Sequence, residues 1–340
     1  MKTSKNLYSK MLNIDYIKNV IKESLKGKKY KDRMMKKLDS YSLYALSCME
    51  TFSINLKETK KVIIHDRKKD REITISPYFP NKIFDYLVVS AIKPIIEKSM
   101  FKWCVGNVEG RGKDVGITYL EKHITKYKYA LKLDVKKFYD NIDKRILFEL
   151  IRRKVSDEKF LKFYSLVVGK EGKGIDLGLN SSQWLANYYL QGLDYYIKQN
   201  LKAEIYVRYV DDMIILGNNK RKLHNFIKKI KEYLEVKLHL KLKENYQLLN
   251  LEKGDDIEFL GYKISKEKTR LCKPLFHKFV RLYKRMKDKS KRRAKTIVSL
   301  FGWFKRTSFS YLYYKKYLQP IIQFSTIKKL LRKRSVWLWN

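Results

Sequence analysis

The run 205–216, IYVRYVDDMIIL, sets two adjacent carboxylates, Asp211 and Asp212, in the middle of a β-branched and aromatic stretch. Such a stretch predicts two strands, and the acids predict the turn that joins them. Burying a carboxylate without a partner costs several kcal/mol, and a neighbouring acid adds to it. A fold that accepts this sequence must leave the turn in water or set a cation against it. A third acid, Asp134, follows another apolar run, ALKL at 130–133. Carboxylates at the ends of apolar strands suit a hard divalent cation, and Mg2+ where substrate phosphates complete the shell. Two such ions roughly 4 Å apart can stabilise both the attacking and the leaving oxygen of a phosphoryl displacement. The plain alternative is a solvated turn beside an unrelated strand acid.

Around these acids the chain is strongly basic. Lys and Arg number 77 against 35 Asp and Glu, a formal net charge of +42 at pH 7. With 44% hydrophobic and 14% aromatic residues, it is too apolar for a disordered polycation. A folded protein with this charge predicts a polyanionic partner, nucleic acid ahead of an anionic membrane surface. The richest apolar stretch, 84–96, is interrupted by Asp85, Lys93 and Pro94, so no bilayer span is expected. The opening MKTSKNLYSK has no apolar signal core, which predicts a chain that is not secreted. Cys48, Cys104 and Cys272 lie far apart without a CxxC pair. That argues against a disulfide framework or a structural zinc site and fits a cytoplasmic location. The five histidines show no ligand spacing and are assigned no chemistry.

The pattern is mixed helix and strand. Leu12, Ile14, Ile17, Val20, Ile21 and Leu25 recur at helical spacing before Gly27, and the first sixty residues read as helices. Residues 61–76 read as a hairpin about the polar DRKKD, and 84–100 as a helix broken or kinked at Pro94. The connector GNVEGRGKDVG, 106–116, carries glycines that permit close backbone approach to a ligand. Then follow a strand at 130–135, a helix at 142–155, a loop at 169–178 and a helix at 182–199. A basic helix at 220–236 and a strand pair about 259–264 come next. Residues 271–340 hold twenty Lys or Arg and one acid, Asp288, with aromatics interleaved from Phe301 to Tyr317. The aromatics are expected mostly inside, with the lysines facing a phosphate backbone.

In order and spacing, LDVKKFYDNID (133–143), LGLNSSQWLANYYL (177–190), RYVDD (208–212) and EFLGY (258–262) resemble the palm motifs of reverse transcriptases. The resemblance extends over roughly residues 60–320. GKGIDLGLNSSQWLANYYLQGLDYYIK and SLFGWFKRTSFSYLYYKKY are similar to segments of diversity-generating-retroelement reverse transcriptases. Related antiphage defence enzymes share much of the pattern. Asn81-Lys82 stands where the retroelement enzymes usually carry Asp-Arg. The resemblance implies an α+β right-hand polymerase with fingers, a palm of antiparallel sheet plus helices, and a basic helical thumb. On that division 1–60 is an N-terminal helical extension, 61–130 the fingers, 131–265 the palm with a fingers insertion near 155–176, and 266–340 the thumb.

The same resemblance implies roles. Asp134, Asp211 and Asp212, with the Val135 carbonyl, would hold two Mg2+ ions, Mn2+ being the alternative. Tyr139, five residues after Asp134, matches the aromatic beneath the incoming sugar, whose ring excludes a 2′-hydroxyl; otherwise it is a core aromatic. Arg71, with Lys69 as a second candidate, would clamp the triphosphate, since guanidinium binds phosphate oxygens in pairs and ammonium acts as a point charge. Arg111 and Lys113 match positions near template or nucleotide. Gly178 would let the template or base pair approach, and Gln183 would lie by the nascent pair. Alternatively Gln183 is a helix-start polar residue, with Ser182 as the cap. Lys243 is a candidate proton donor to leaving pyrophosphate, and Phe259, Leu260, Gly261 and Tyr262 match the turn that holds the primer end.

The implied partners are an RNA template (a cognate non-coding RNA), the cDNA product and dNTPs, with an accessory protein or a second copy, and no membrane. The implied setting is antiphage defence or diversity generation. Two other classes compete. Tyr139 and the YVDD form stand against an RNA-dependent RNA polymerase, and the full set of three acids stands against a catalytically silent RNA-binding scaffold.

Overall fold

Helical spacing near the amino terminus becomes the helix Ile14–Ser24, which buries Ile17, Val20 and Ile21. Asn13 starts it by accepting from the N–H groups of Asp15 and Tyr16, the usual service of an N-cap amide. The computed structural model describes residues 4–66, 69–288 and 290–332. Among these, no helix is long and apolar enough to cross a membrane. The chain divides into two units. The first runs to Gly116 and adds Leu133–Ile215 and Asn219–Tyr246; the second takes Ile117–Lys132, Leu216–Asn218 and the chain from Gln247.

In the first unit the expected hairpin forms from Lys60–Asp66 and Lys69–Ile75, antiparallel, with Ile64 opposite Arg71. The helix Ile83–Ser99 follows and runs through Pro94 without a break. Pro94 is exposed, and the expected break does not occur. Asn81 is buried and exchanges two bonds with the Lys57 backbone, at 2.9 and 2.8 Å, which gives the Asn-Lys pair a structural duty.

The expected helix 182–199 starts earlier and is segmented, as Asn180–Tyr189, Gln191–Tyr195 and a wider turn at Tyr196–Asn200. Ser182 is not its cap. The buried carboxylate of Asp85, on the helix Ile83–Ser99, accepts from the N–H of Asn180 at 2.9 Å and of Ser181 at 3.2 Å. A negative charge at a helix start meets its free donors and its dipole together. The strands Ile205–Tyr209 and Asp212–Gly217 lie side by side and are joined by Val210 and Asp211. The helix Lys220–Leu238, capped by Asn219, buries Phe226, Ile227 and Ile230.

In the second unit Tyr129–Leu133 pairs antiparallel with Gln247–Asn250. The expected strand pair is a three-stranded sheet of Ile257–Phe259, Tyr262–Ile264 and Thr269–Leu271. Beyond it, the helices Lys273–Lys284 and Lys291–Arg306 pack through Phe279 and Phe304, stacked at 4.2 Å between ring centres. Tyr283 and Tyr314 are buried with them, whereas Phe309 and Tyr317 are 62% and 50% exposed. Phe301, Trp303, Tyr311 and Tyr313 are only half-buried, so the expectation that the tail's aromatics lie mostly inside is not met among the described residues.

Candidate active site

The turn Val210–Asp211 carries the first of the acids, and Asp212 opens the following strand. Asp134 comes one residue after the strand Tyr129–Leu133. The next step of chain, Val135, lies opposite Leu242 in an antiparallel bridge. That bridge is closed by Lys136 N–H on Lys241 carbonyl at 2.8 Å and Lys243 N–H on Asp134 carbonyl at 2.9 Å. Val135 and Leu242 are thus the pair that exchanges no ladder bonds, and the Val135 carbonyl points away from its partner strand.

Asp134 and Asp211 are brought together. Burial raises the Asp211 carboxyl to about 6, and the charge and hydrogen bond of Asp134 add to the rise, with Lys243 opposing it. Lys243 Nζ donates to Asp134 Oδ2. Asp134 Oδ1 is buried and accepts no hydrogen bond. Among the described residues no three His, Cys, Asp or Glu side chains converge as a metal-holding group; the crowded pair is Asp134 and Asp211. An unbonded buried carboxylate oxygen beside a second, crowded carboxyl fits a divalent cation, which would offset their mutual repulsion.

Tyr139 stands in the same field. Its hydroxyl is pushed up to about 12, first by burial and then by Asp211 and Tyr209, with Arg71 acting the other way. The clamp candidate and an acid of the turn therefore both act on the gate candidate electrostatically. Backbone bonds lace the segments that carry them: Ile175 N–H to Tyr139 carbonyl at 3.0 Å, and Thr74 N–H to Leu177 carbonyl at 2.8 Å. Gln183 is exposed between buried Ser182 and Trp184, so it is not a core residue.

Other candidates take different places. Gly178 has φ +119, and a Cβ there would fall 2.7 Å from the Thr74 carbonyl. The close approach that demands glycine is made by the hairpin strand. Arg111 donates from Nη1 to the carbonyls of Phe101 at 2.7 Å and Cys104 at 3.3 Å, organising its own loop. Lys113 opens the helix Lys113–His123. Lys69 begins the second hairpin strand, but its side chain lies outside the described residues.

In the second unit Leu260 and Gly261 form a turn with φ +48 and +83, between buried Phe259 and Tyr262. Tyr262 stacks on Trp303 at 5.8 Å and 9°, and its hydroxyl donates to the Trp303 carbonyl at 3.1 Å.

Two buried charges carry structure around the site: Asp85, read from sequence only as an interruption of an apolar stretch, and Arg208, given no role there. Each is a lone ion in an apolar stretch, DYLVV and IYVRYV, the same signal that marks Asp134 and Asp211.

Residues 59–264 match the family described as reverse transcriptase (RNA-dependent DNA polymerase). Among solved structures the chain is similar to apo telomerase from Candida tropicalis, with 15% identity over 82% of this chain and 64% of that one and a TM-score of 0.50. It is also similar to telomerase from Candida tropicalis in complex with a TWJ fragment of telomeric RNA, with 13% identity over 86% and 64% and a TM-score of 0.48. The first likeness is one of fold. The chain spans 64% of the length of each of these two telomerase chains. No curated protein matches it.

Proposed function

Since the chain belongs to the reverse transcriptase (RNA-dependent DNA polymerase) family, we propose that it copies an RNA template into DNA at Asp134, Asp211 and Asp212. The observation that carries this reading is the crowding of Asp134 against Asp211, with Asp211 and Arg71 both acting on Tyr139. Two Mg2+ ions, bound by the three acids and the Val135 carbonyl, would supply charge to the triphosphate and to the attacking 3′-oxygen. The protein's own part is positioning and electrostatics, as is general in phosphoryl transfer.

Arg71 holds triphosphate oxygens from the hairpin strand. The Tyr139 ring takes the space a 2′-hydroxyl would need, and its neutral hydroxyl adds no charge beside Asp211. Gln183, exposed on the first turn of its helix, lies by the nascent pair. Lys243, bonded to Asp134, is the proton source for the leaving pyrophosphate. The turn 259–262 holds the primer end.

On this reading 61–130 are fingers, 131–265 palm and 266–340 thumb, after a helical extension at 1–60; residues 333–340 lie outside the described part. The likeness of GKGIDLGLNSSQWLANYYLQGLDYYIK to retroelement and defence enzymes supports a dedicated structured RNA as template, in a bacterial diversity-generating or antiphage system. The test is primer extension on RNA with Mg2+, wild type against Asp211→Asn. Extension should vanish in a variant that still melts cooperatively and binds RNA. A folded variant that extends primers as the wild type does overturns the reading.

A further inference from the structure

Behind the acid turn lies a polar cluster that the proposed chemistry does not use. The strand Ile205–Tyr209 carries Arg208, whose side chain is 0% exposed. Its guanidinium has five N–H donors, and all are engaged. Nε donates to Asp194 Oδ1 at 2.7 Å and Nη2 to Asp194 Oδ2 at 2.5 Å. Nη2 also reaches the Asn187 carbonyl at 3.1 Å, and Nη1 the Asn187 Oδ1 at 3.2 Å. The fifth bond runs from Nη1 to the Val210 carbonyl at 2.7 Å, which belongs to the turn itself. Asp194, equally buried, also accepts from the Tyr206 hydroxyl at 2.7 Å.

The turn is pressed from a second side. Val105 N–H donates to the Arg208 carbonyl at 2.8 Å, and Arg208 N–H to the Trp103 carbonyl at 3.0 Å, so segment 103–105 runs along the strand. The next residue is Gly106, where a Cβ would stand 2.7 Å from Val210 N. Asn187 Nδ2 ties the Gly106 carbonyl at 2.6 Å. One asparagine therefore bonds both the arginine behind the turn and the glycine against it.

Between these supports Val210 has φ +57. A β-branched residue in the left-handed region is strained and persists only where its surroundings over-determine it. Stability does not account for the cluster, because buried ion pairs can often be exchanged for apolar groups without loss. An apolar replacement could not, however, make the bond to the Val210 carbonyl.

We propose that Arg208 is a positioning residue: by fixing the Val210 carbonyl against Gly106, it holds the turn in the left-handed form that presents the Asp211 carboxylate to Asp134. This rests on the reading of those two acids as the polymerase carboxylates.

Arg208→Lys keeps a cation beside Asp194, but one ammonium cannot span Asp194 and Val210 together. The full-length variant should melt cooperatively and bind primer–template RNA with unchanged Kd. Its kcat should fall about a hundredfold, as expected for a reacting group displaced by about 1 Å, with a higher half-saturating Mg2+ concentration. Amide exchange over 209–212, read without metal or substrate, should accelerate. Gly106→Ala, acting from the opposite side, should give the same signature, and it decides the matter if Arg208→Lys yields no cooperative transition. Wild-type kcat and wild-type turn exchange in a variant that merely melts lower would overturn the proposal, as would faster exchange without loss of kcat. Failure of the underlying reading looks different: Asp211→Asn would then extend primers, whatever the exchange data show.

Discussion

Two hairpin turns, Leu260–Gly261 and Val210–Asp211, solve one geometric problem with different materials. Leu260–Gly261, in the second unit, puts both central residues at positive φ, the form whose twist suits a two-residue hairpin, and spends a glycine on it. It is closely packed by apolar groups, for a Cβ on Gly261 would overlap the Trp303 ring and lie 2.7 Å from Leu275, and its Gly261 carbonyl accepts from the backbone N–H of Cys272 at 2.9 Å. Val210–Asp211, in the first unit, places valine at φ +57 and is held by one hydrogen bond from a buried arginine to the Val210 carbonyl. The second turn's carbonyl is bonded by backbone from the neighbouring strand's end, whereas the guanidinium ties the first turn's carbonyl to a buried side-chain cluster, and each such bond fixes direction as well as distance. The difference teaches that the first turn is built to aim a side chain and the second to close a strand pair against a helix.

The largest expected effect tests the aiming. Asp211→Glu keeps the charge and lengthens the arm by one methylene, so kcat should fall about a hundredfold while the melting transition stays in place. Undiminished kcat would erase the contrast between the turns. Packing is tested next. Gly261→Ala should lower stability by about 2–4 kcal/mol, combining left-handed strain with overpacking against Trp303. Denaturant melts read this directly, and a wild-type midpoint would mean that the second turn is loose.

A smaller effect is electrostatic and separates the turns by pH. Burial and Asp134 hold the Asp211 carboxyl up at about 6, above the value of about 3.9 for an unfolded aspartate. The folded state then binds the proton more tightly, so stability falls as pH rises from about 4 to about 6 and stays lower above that, by about 1–3 kcal/mol without metal. Melts in chelator across that window should show the fall in wild type and in Gly261→Ala, and a flatter profile in Asp211→Asn. The smallest effect sharpens the role of strain. Val210→Gly should leave stability within about 1 kcal/mol of wild type, because relief of left-handed strain offsets much of the lost burial. Its kcat should still drop roughly tenfold as the turn loses direction. A clear loss of stability with full kcat would make Val210 a packing residue only.

Much of this was readable from the chain. Asp134, Asp211 and Asp212 betrayed themselves as charges among apolar neighbours, and alternating β-branched runs marked the hairpins at 61–76 and 205–216. What local pattern could not supply was the partner. Asp85 looks like an interruption of a greasy helix until Asn180 and Ser181 come to it. Gly178 invites a ligand in sequence, but Thr74 fills that space. Arg111, in a glycine-rich loop, looks free for phosphate until the Phe101 carbonyl takes one of its donors. Pro94 falls under a general rule about helix interiors, yet the helix runs through it. The Asp85 and Gly178 cases turn on which distant group the fold delivers, and sequence spacing does not encode that.

The Asp85 contact also bears on the order in which the chain assembles. The helix Asn180–Tyr189 has no side-chain cap from its own N-cap residue and is too short to persist alone in water. Its missing acceptor sits 95 residues earlier, on a segment the ribosome delivers first. At ordinary synthesis rates that interval is roughly 5–20 s. During it the Asp85 carboxylate must wait hydrated at the start of its own helix, and the later helix can nucleate only on a surface already in place. Synthesis thus gives the first unit a direction: 83–99 is the template, and 180–189 is cast on it.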